Sequence, residues 1–291
     1  MANPYTDYVR RYRETLTYGS TLPVGGFLSP PAPAPAEDAP VVLLVMPHPD
    51  DECITGALPL RLLRECTCRV VNLAVTFGSR EERKAERIQE LRAACDFLGF
   101  AVDSCGEDGR DNVTPATREG NPELWDAHVS EIARAIRTYG PAMVVTSHDE
   151  DWHPTHVGTH MAVRDALMRL GDSISCLFVE TEFWRTMHSP NLMIETGDAD
   201  TADLIAAISC HVKEVERNPY HLRMPAWLED NVRRGGELVC GQGGTPPDFL
   251  FATLYRLRLW NGADLVPCYD GGRAYGSNDS LEPLLSLREV S

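Results

Sequence analysis

Six apolar residues in succession, Val41 to Met46, run directly into the polar turn Pro47-His48-Pro49-Asp50-Asp51-Glu52. An apolar run of that length bounded by turn residues reads as a buried strand. This one stops where an imidazole and three carboxylates are placed together. A second apolar run, residues 143–146, leads in the same way into His148-Asp149-Glu150-Asp151-Trp152-His153-Pro154-Thr155-His156. Two strand ends with complementary ligand chemistry imply one divided metal site, with hydrolysis as the chemistry it serves.

The stretches around these runs alternate in period. Helix is expected over residues 52–64, strand over 69–76, and a helix opened by a Ser79/Glu82 capping box and stopped by Gly99. Ile88, Leu91, Cys95 and Leu98 mark the buried face of that helix. A helix over 122–139, a strand over 142–146, a helix over 157–170 and a strand over 174–180 follow. Such alternation implies an α/β fold: a Rossmann-like, doubly wound, mostly parallel sheet with helices on both faces. No GxGxxG follows the first strand, which weakens a dinucleotide or nucleotide-regulator reading. Active sites of such sheets lie beyond the carboxyl ends of the strands, where both polar clusters fall.

Residues 1–40 are expected to form an N-terminal arm. A short helix over 5–16 precedes a linker punctuated by Pro30, Pro31, Pro33, Pro35 and Pro40, wrapped over the domain or over a neighbouring subunit of a homo-oligomer. Residues 41–185 form the Rossmann-like core. Residues 186–291 form a C-terminal extension that completes the same domain and shapes the substrate pocket. That extension reads as a helix over 201–217, an interruption at 218–225, a short helix over 226–233, a Gly-rich stretch over 235–244, and a further segment over 247–260.

The 27 basic and 43 acidic side chains give a net charge of −16, which argues against a nucleic-acid partner. No apolar run approaches the roughly 20 residues that cross a bilayer. The first residues lack a signal-peptide pattern. Nine cysteines, none in CxxC spacing, point to a reducing cytoplasm.

His48 and Asp51, three apart on a strand-to-helix turn, can face one divalent ion. A third ligand must come from His153, His156 or His160. The rival pair His156/His160 lacks the Glu that directly follows the first His of an HExxH motif. The favoured ligands are therefore His48, Asp51 and His156, with His153 free.

The HPDDE turn, Thr76-Phe77-Gly78, Arg87 and Glu90 on a helix ending at Leu98-Gly99, and His153-Pro154-Thr155-His156 together resemble the PIG-L/LmbE family. These are metal-dependent N-deacetylases that act typically on N-acetylglucosamine-containing compounds, including the deacetylase of mycothiol synthesis. The resemblance covers roughly residues 41–185. It implies Zn2+ (Fe2+ also suits the donors) bound by His48, Asp51 and His156, with Asp50 as general base. His153 would assist, protonated, at the reacting carbonyl. Thr155 stands where the family has Asp, and Asp149 or Asp151 is expected to substitute for it in orienting His153; failing that, His153 has a lowered pKa.

Several residues carry a plainer reading. Glu52 is expected to cap its helix or support a ligand, His148 to support a ligand or shape the loop, His160 to pack its helix, and Cys53 to be a small packed residue. Arg87, Asp108, Trp152, Arg185 and His221, with Trp184, Tyr220 and Arg223, are the candidates for contacting a sugar. Arg87 and Glu90 could equally form a solvated, salt-bridged helix face. The expected partner is a small-molecule amide, carbohydrate in kind. The alternatives are an amidase of non-sugar or thiol-conjugate amides and a non-catalytic carbohydrate-binding protein.

Overall fold

The computed structural model describes residues 3–243 and 245–289. The ends of the arm and of the C-terminal extension, and Gly244 in the Gly-rich stretch, lie outside the described residues. Strands β1 (Val41–Met46), β2 (Arg69–Ala74), β3 (Ala101–Ser104), β4 (Met143–Ser147) and β5 (Cys176–Thr181) form the parallel half of one sheet. Their spatial order is β3-β2-β1-β4-β5. The chain moves outward from β1 to β3, then returns to place β4 on the other side of β1. That reversal opens a crevice at the carboxyl ends of β1 and β4. Strands β6 (Leu192–Glu195), β7 (Ala252–Trp260), β8 (Leu265–Pro267) and β9 (Arg273–Tyr275) extend the sheet past β5. There β7 runs antiparallel to β5, β6 and β8, and β9 runs parallel to β6.

The helices are α1 (Tyr5–Gly19), α2 (Asp51–Ile54), α3 (Ala57–Cys66), α4 (Glu81–Leu98), α5 (Pro115–Gly120) and α6 (Pro122–Tyr139). They continue as α7 (Pro154–Leu170), α8 (Asp198–Ile208), α9 (Val212–Arg217), α10 (Met224–Leu238) and α11 (Glu282–Ser286). Alternate residues of β1 enter two cores. Val42, Leu44 and Met46 pack with Leu58 and Leu62 of α3, Leu91 of α4 and Leu204 of α8. Val41, Leu43 and Val45 pack with Ile132 and Ile136 of α6 and Val163 and Leu167 of α7. Both faces of β1 are covered, so every position in it must be apolar. Each such side chain contributes about 1.5–3 kcal/mol on burial. The expected doubly wound, mostly parallel α/β sheet is what the chain forms.

Differences from expectation are local. The helix expected over 52–64 breaks at Gly56, whose φ is +83°. A Cβ there would meet the Thr253 side chain, so only glycine fits this approach. Helix α4 starts without the capping box, since its N-cap, Arg80, has no side-chain cap. The helix expected over 201–217 is interrupted at residues 209–211. Helix α10 runs on through Gly235 and Gly236, because Met193, Leu254 and Pro246 lie where their side chains would be. Strand β3 and helix α5, both short, lacked enough apolar periodicity to be anticipated.

Helix α1 has no buried residue. The linker behind it lies on its own chain: Phe27 meets the Phe97 ring edge-on at 6.5 Å, and Gly25 N–H donates to Ser209 Oγ at 3.0 Å.

Candidate metal centre

The turn after β1 is braced from two sides. Thr76 Oγ1 and Thr76 N–H both donate to the Pro47 carbonyl, at 2.8 and 3.1 Å. Arg87 Nη2 donates to the Pro49 carbonyl at 2.8 Å. Thus the Thr76-Phe77-Gly78 segment and Arg87 hold the shape of the ligand turn, and Arg87 and Glu90 are largely buried, not a solvated face. Within the turn, His48 N–H donates to Asp51 Oδ2 at 2.8 Å. After β4, His153 is the N-cap of α7 and takes the Thr155 N–H on its Nδ1 at 3.3 Å. His156 then falls in the first turn of α7.

Three donor atoms converge from these two strand ends. His48 Nδ1 lies 3.1 Å from His156 Nε2 and 3.4 Å from Asp51 Oδ2, and His156 Nε2 lies 3.5 Å from Asp51 Oδ2. Donors bound about 2.0–2.1 Å from a tetrahedral ion lie roughly 3.3–3.4 Å from one another, so the spacing fits such an ion. Without an ion the 3.1 Å pair can hydrogen-bond, one imidazole N–H donating to the other ring's lone pair, whereas with an ion both lone pairs would face it. Burial, then the facing His156, lowers the His48 pKa to about 3, leaving a neutral ring with a lone pair to offer. Burial also lowers His156, but Asp51 and Asp151 outweigh it and raise the net value. Asp151 Oδ1 sits 3.6 Å from His156 Nδ1, the placement of a carboxylate that orients a ligating imidazole. The His153 ring lies 4.8 Å from that of His48 and 5.1 Å from that of His156.

Neither acid expected to stand in for the family Asp reaches the His153 ring. Asp151 accepts the backbone N–H of His153 and faces His156, whereas Asp149 pairs with Arg256 at 2.6 Å. Burial, then His48 and His156, lowers the His153 pKa to about 4. With Nδ1 accepting from Thr155, the hydrogen-bond pattern assigns its proton to Nε2.

Asp50, beside the three converging donors, has φ +106°, a conformation costing a non-glycine residue about 1–3 kcal/mol. Its N–H donates to Glu52 Oε2 at 2.9 Å, and Glu52 Oε1 pairs with His211 Nε2 at 2.7 Å, fully buried. Glu52 thus anchors the backbone of Asp50, the N-cap of its own helix, as expected of a residue at the helix start. Asp50 Oδ2 accepts the Tyr220 hydroxyl at 2.8 Å. Burial, then the neighbouring Asp51, raises the Asp50 pKa to about 6. Burial likewise pushes the Cys53 thiol well up, leaving it unsuited to nucleophilic attack.

The remaining candidates are dispersed. Asp108 is exposed in the loop after β3, and that loop's Gly109 packs on Thr76 and Phe77. Trp152 and Trp184 are 74% and 56% exposed near the His153 loop. Arg185 Nη1 donates to the Glu150 carbonyl and the Arg185 carbonyl meets His148 Nε2, so both residues shape the 148–151 loop. His221 is buried and Arg223 exposed. His160 Nδ1 meets the Ser147 carbonyl at 3.0 Å. The Asp149–His160–Glu180 cluster nearby is already neutralised by Arg256 and Arg258. Sequence reasoning missed His211 altogether, which lacks any local motif, and placed Tyr220 only as a sugar contact.

Solved structures with the same fold include N,N'-diacetylchitobiose deacetylase from Pyrococcus horikoshii, with 16% identity, 88% of this chain and 93% of that one covered, and a TM-score of 0.54. GalB, the 4-carboxy-2-hydroxymuconate hydratase of Pseudomonas putida KT2440, covers 75% and 95% at 18% identity and TM-score 0.55. A zinc-inhibited form of the teicoplanin deacetylase Orf2 covers 75% and 97% at 16% identity and TM-score 0.52. A hydratase among deacetylases shows that this fold alone does not choose the reaction. No curated protein sequence matches. Residues 43–167 match the family described as PIG-L: GlcNAc-PI de-N-acetylase, the segment that carries all three converging donors. Over that segment, which is less than half of the chain, the sequence is similar to the PIG-L de-N-acetylases.

Proposed function

We propose that this chain is a metal-dependent deacetylase that removes an acyl group, acetyl first, from an amino sugar or an N-acetylglucosamine-containing conjugate. His48, Asp51 and His156 would hold the ion and Asp50 would be the base. The convergence of three donors from two strand ends to 3.1–3.5 Å separations carries the reading. Zn2+ is the ion assigned, and Fe2+ suits the same donors. The sugar class draws support from relatives named for N,N'-diacetylchitobiose and teicoplanin.

A divalent cation held there supplies a water of lowered pKa and polarises the amide carbonyl. Asp50, with a pKa of about 6, is ionised at neutral pH yet basic enough to take the attacking water's proton. It then hands that proton to the departing amine nitrogen. His153, neutral with its pKa near 4, donates Nε2–H to the carbonyl oxygen as negative charge builds. A lowered His153 pKa is the alternative the sequence left open beside a protonated role. The products are a carboxylic acid and a free amine.

The test is a panel of N-acyl amino sugars and non-sugar amides assayed for released amine, with chelator and with titrated Zn2+ or Fe2+. Titration matters because zinc inhibits one relative. Amine release from the sugars, lost with chelator and restored by one ion, is expected. Release from non-sugar amides alone would make the chain an amidase of another class. Sugar binding without release would make it a binding protein, and hydration of an unsaturated acid would make it a hydratase.

Two further assignments belong to the proposal. All nine cysteines are unpaired, which supports a reducing compartment, the cytoplasm. Among the described residues no helix is long and apolar enough to cross a membrane. Tyr5, Tyr8 and Tyr12 share an exposed stripe of α1, which supports self-association through the arm.

A further inference from the structure

Residues 209–223 lie outside the family-matched segment, yet they reach the base twice. At one end His211, in the break between α8 and α9, pairs with Glu52, which in turn accepts the Asp50 N–H. At the other, Tyr220 opens the short 3-10 turn Tyr220–Leu222 and donates its hydroxyl to Asp50 Oδ2 at 2.8 Å. We propose that Tyr220 is a positioning residue for the Asp50 carboxylate, fixing which of its oxygens is free to accept a proton. The proposal rests on Asp50 being the base.

The need for such a residue follows from the geometry. The terminal torsion of an aspartate is broad and roughly two-fold, so packing alone does not fix the carboxylate plane. Asp50 also sits on a strained backbone at φ +106°, which must be held by its surroundings. Arg87, at 3.9 Å from Oδ2, is too far to hydrogen-bond it. Among the described residues the Tyr220 hydroxyl is the donor that reaches the carboxylate, and it engages Oδ2, leaving Oδ1 for the proton. The phenol is a permanent donor, because burial and the charge of Asp50 push its pKa far above the ordinary tyrosine value. The backbone clamp through Glu52 and His211 and the side-chain clamp through Tyr220 thus belong to one strap of the C-terminal extension.

The experiment compares Tyr220→Phe, Asp50→Asn and the double variant in the full-length, metal-loaded chain. N-acetylglucosamine derivatives serve as probes, with bound metal and Tm measured alongside. Tyr220→Phe should lower kcat roughly 10- to 100-fold, the scale of a misplaced catalytic group. KM, metal content and Tm should stay close to the parent. In the Asp50→Asn background the same change should cost nothing more. A raised KM at unchanged kcat, or an equal loss in both backgrounds, would overturn the proposal, while loss from Asp50→Asn alone would leave the base reading standing. If Asp50→Asn retained full turnover, the base reading and this proposal would fall together. A crystal structure of Tyr220→Phe supplies a readout independent of turnover: the Asp50 carboxylate should rotate or split, and an unmoved carboxylate would also count against the proposal.

Discussion

Asp50 and Asp51 are adjacent carboxylates, and the turn between β1 and α2 sends them to different tasks. Asp51 faces the two imidazoles, while Asp50, on a backbone few non-glycine residues adopt, faces Tyr220. His156→Ala should abolish bound metal, measured by elemental analysis of the purified chain, because it removes one of three converging donors. Asp50→Asn should keep the metal and lose roughly 10²–10⁴ in kcat, the usual scale of a general base. As the proposed base, the same aspartate would set an acid limb. It must be ionised to accept a proton, and with a pKa of about 6 it becomes protonated as pH falls through that value. Hence kcat/KM should drop about tenfold per pH unit below the limb and level off above it. A flat profile between pH 5 and 7 at constant metal content would remove Asp50 from that role.

Among the elements, the break between α8 and α9 has the largest consequence for the site. Helical continuity is given up over residues 209–211 so that His211 can meet Glu52 beneath the ligand turn. Burial opposes both charges, but the pairing prevails: His211 is raised above its ordinary 6.5 and Glu52 lowered below 4.5. The His211 contribution is present below about pH 6.5 and is lost as pH rises through the higher folded value. The Glu52 contribution is present above about pH 4.5 and is lost as pH falls through the lower folded value. His211→Ala leaves Glu52 buried without its partner and should cost about 3–5 kcal/mol by denaturant unfolding near neutral pH. A loss under 1 kcal/mol would mean water or a neutral Glu52 replaces the pair.

At the scale of the whole molecule, one sheet carries the family-matched segment and the C-terminal strands together. Strand β7 pairs with β5, and Leu192, Tyr255 and Leu257 share a core with Val42 and Leu44. The arm contrasts with this, because no residue of α1 is fully buried in its own chain. Removing residues 1–20 should therefore leave the unfolding free energy within about 1 kcal/mol of the parent, well below the cost of removing a packed element. In sedimentation the full chain should run as an assembly and the truncated chain as a monomer. Equal masses would take the arm out of self-association.

Local chemistry alone determined the strand β1, the helix α6, the doubly wound class and the pairing of the two polar clusters. Each of these is written in a run of neighbouring residues, as an apolar stretch, a helical period or a ligand spacing. The break at Gly56 and the continuation of α10 through Gly235 were illegible because Gly56 answers to Thr253, and Gly235 to Met193 and Leu254, partners distant in the chain. The apparent stand-ins for the missing family Asp were equally undecidable from their spacing, since Asp149 turned to Arg256 and Asp151 to His156. Only the tertiary structure could bring His211 and Tyr220 to Asp50, across 159 and 170 positions by way of Glu52 and directly. Contacts of that separation leave no periodicity in the sequence, because they depend on how the sheet brings distant loops over one crevice.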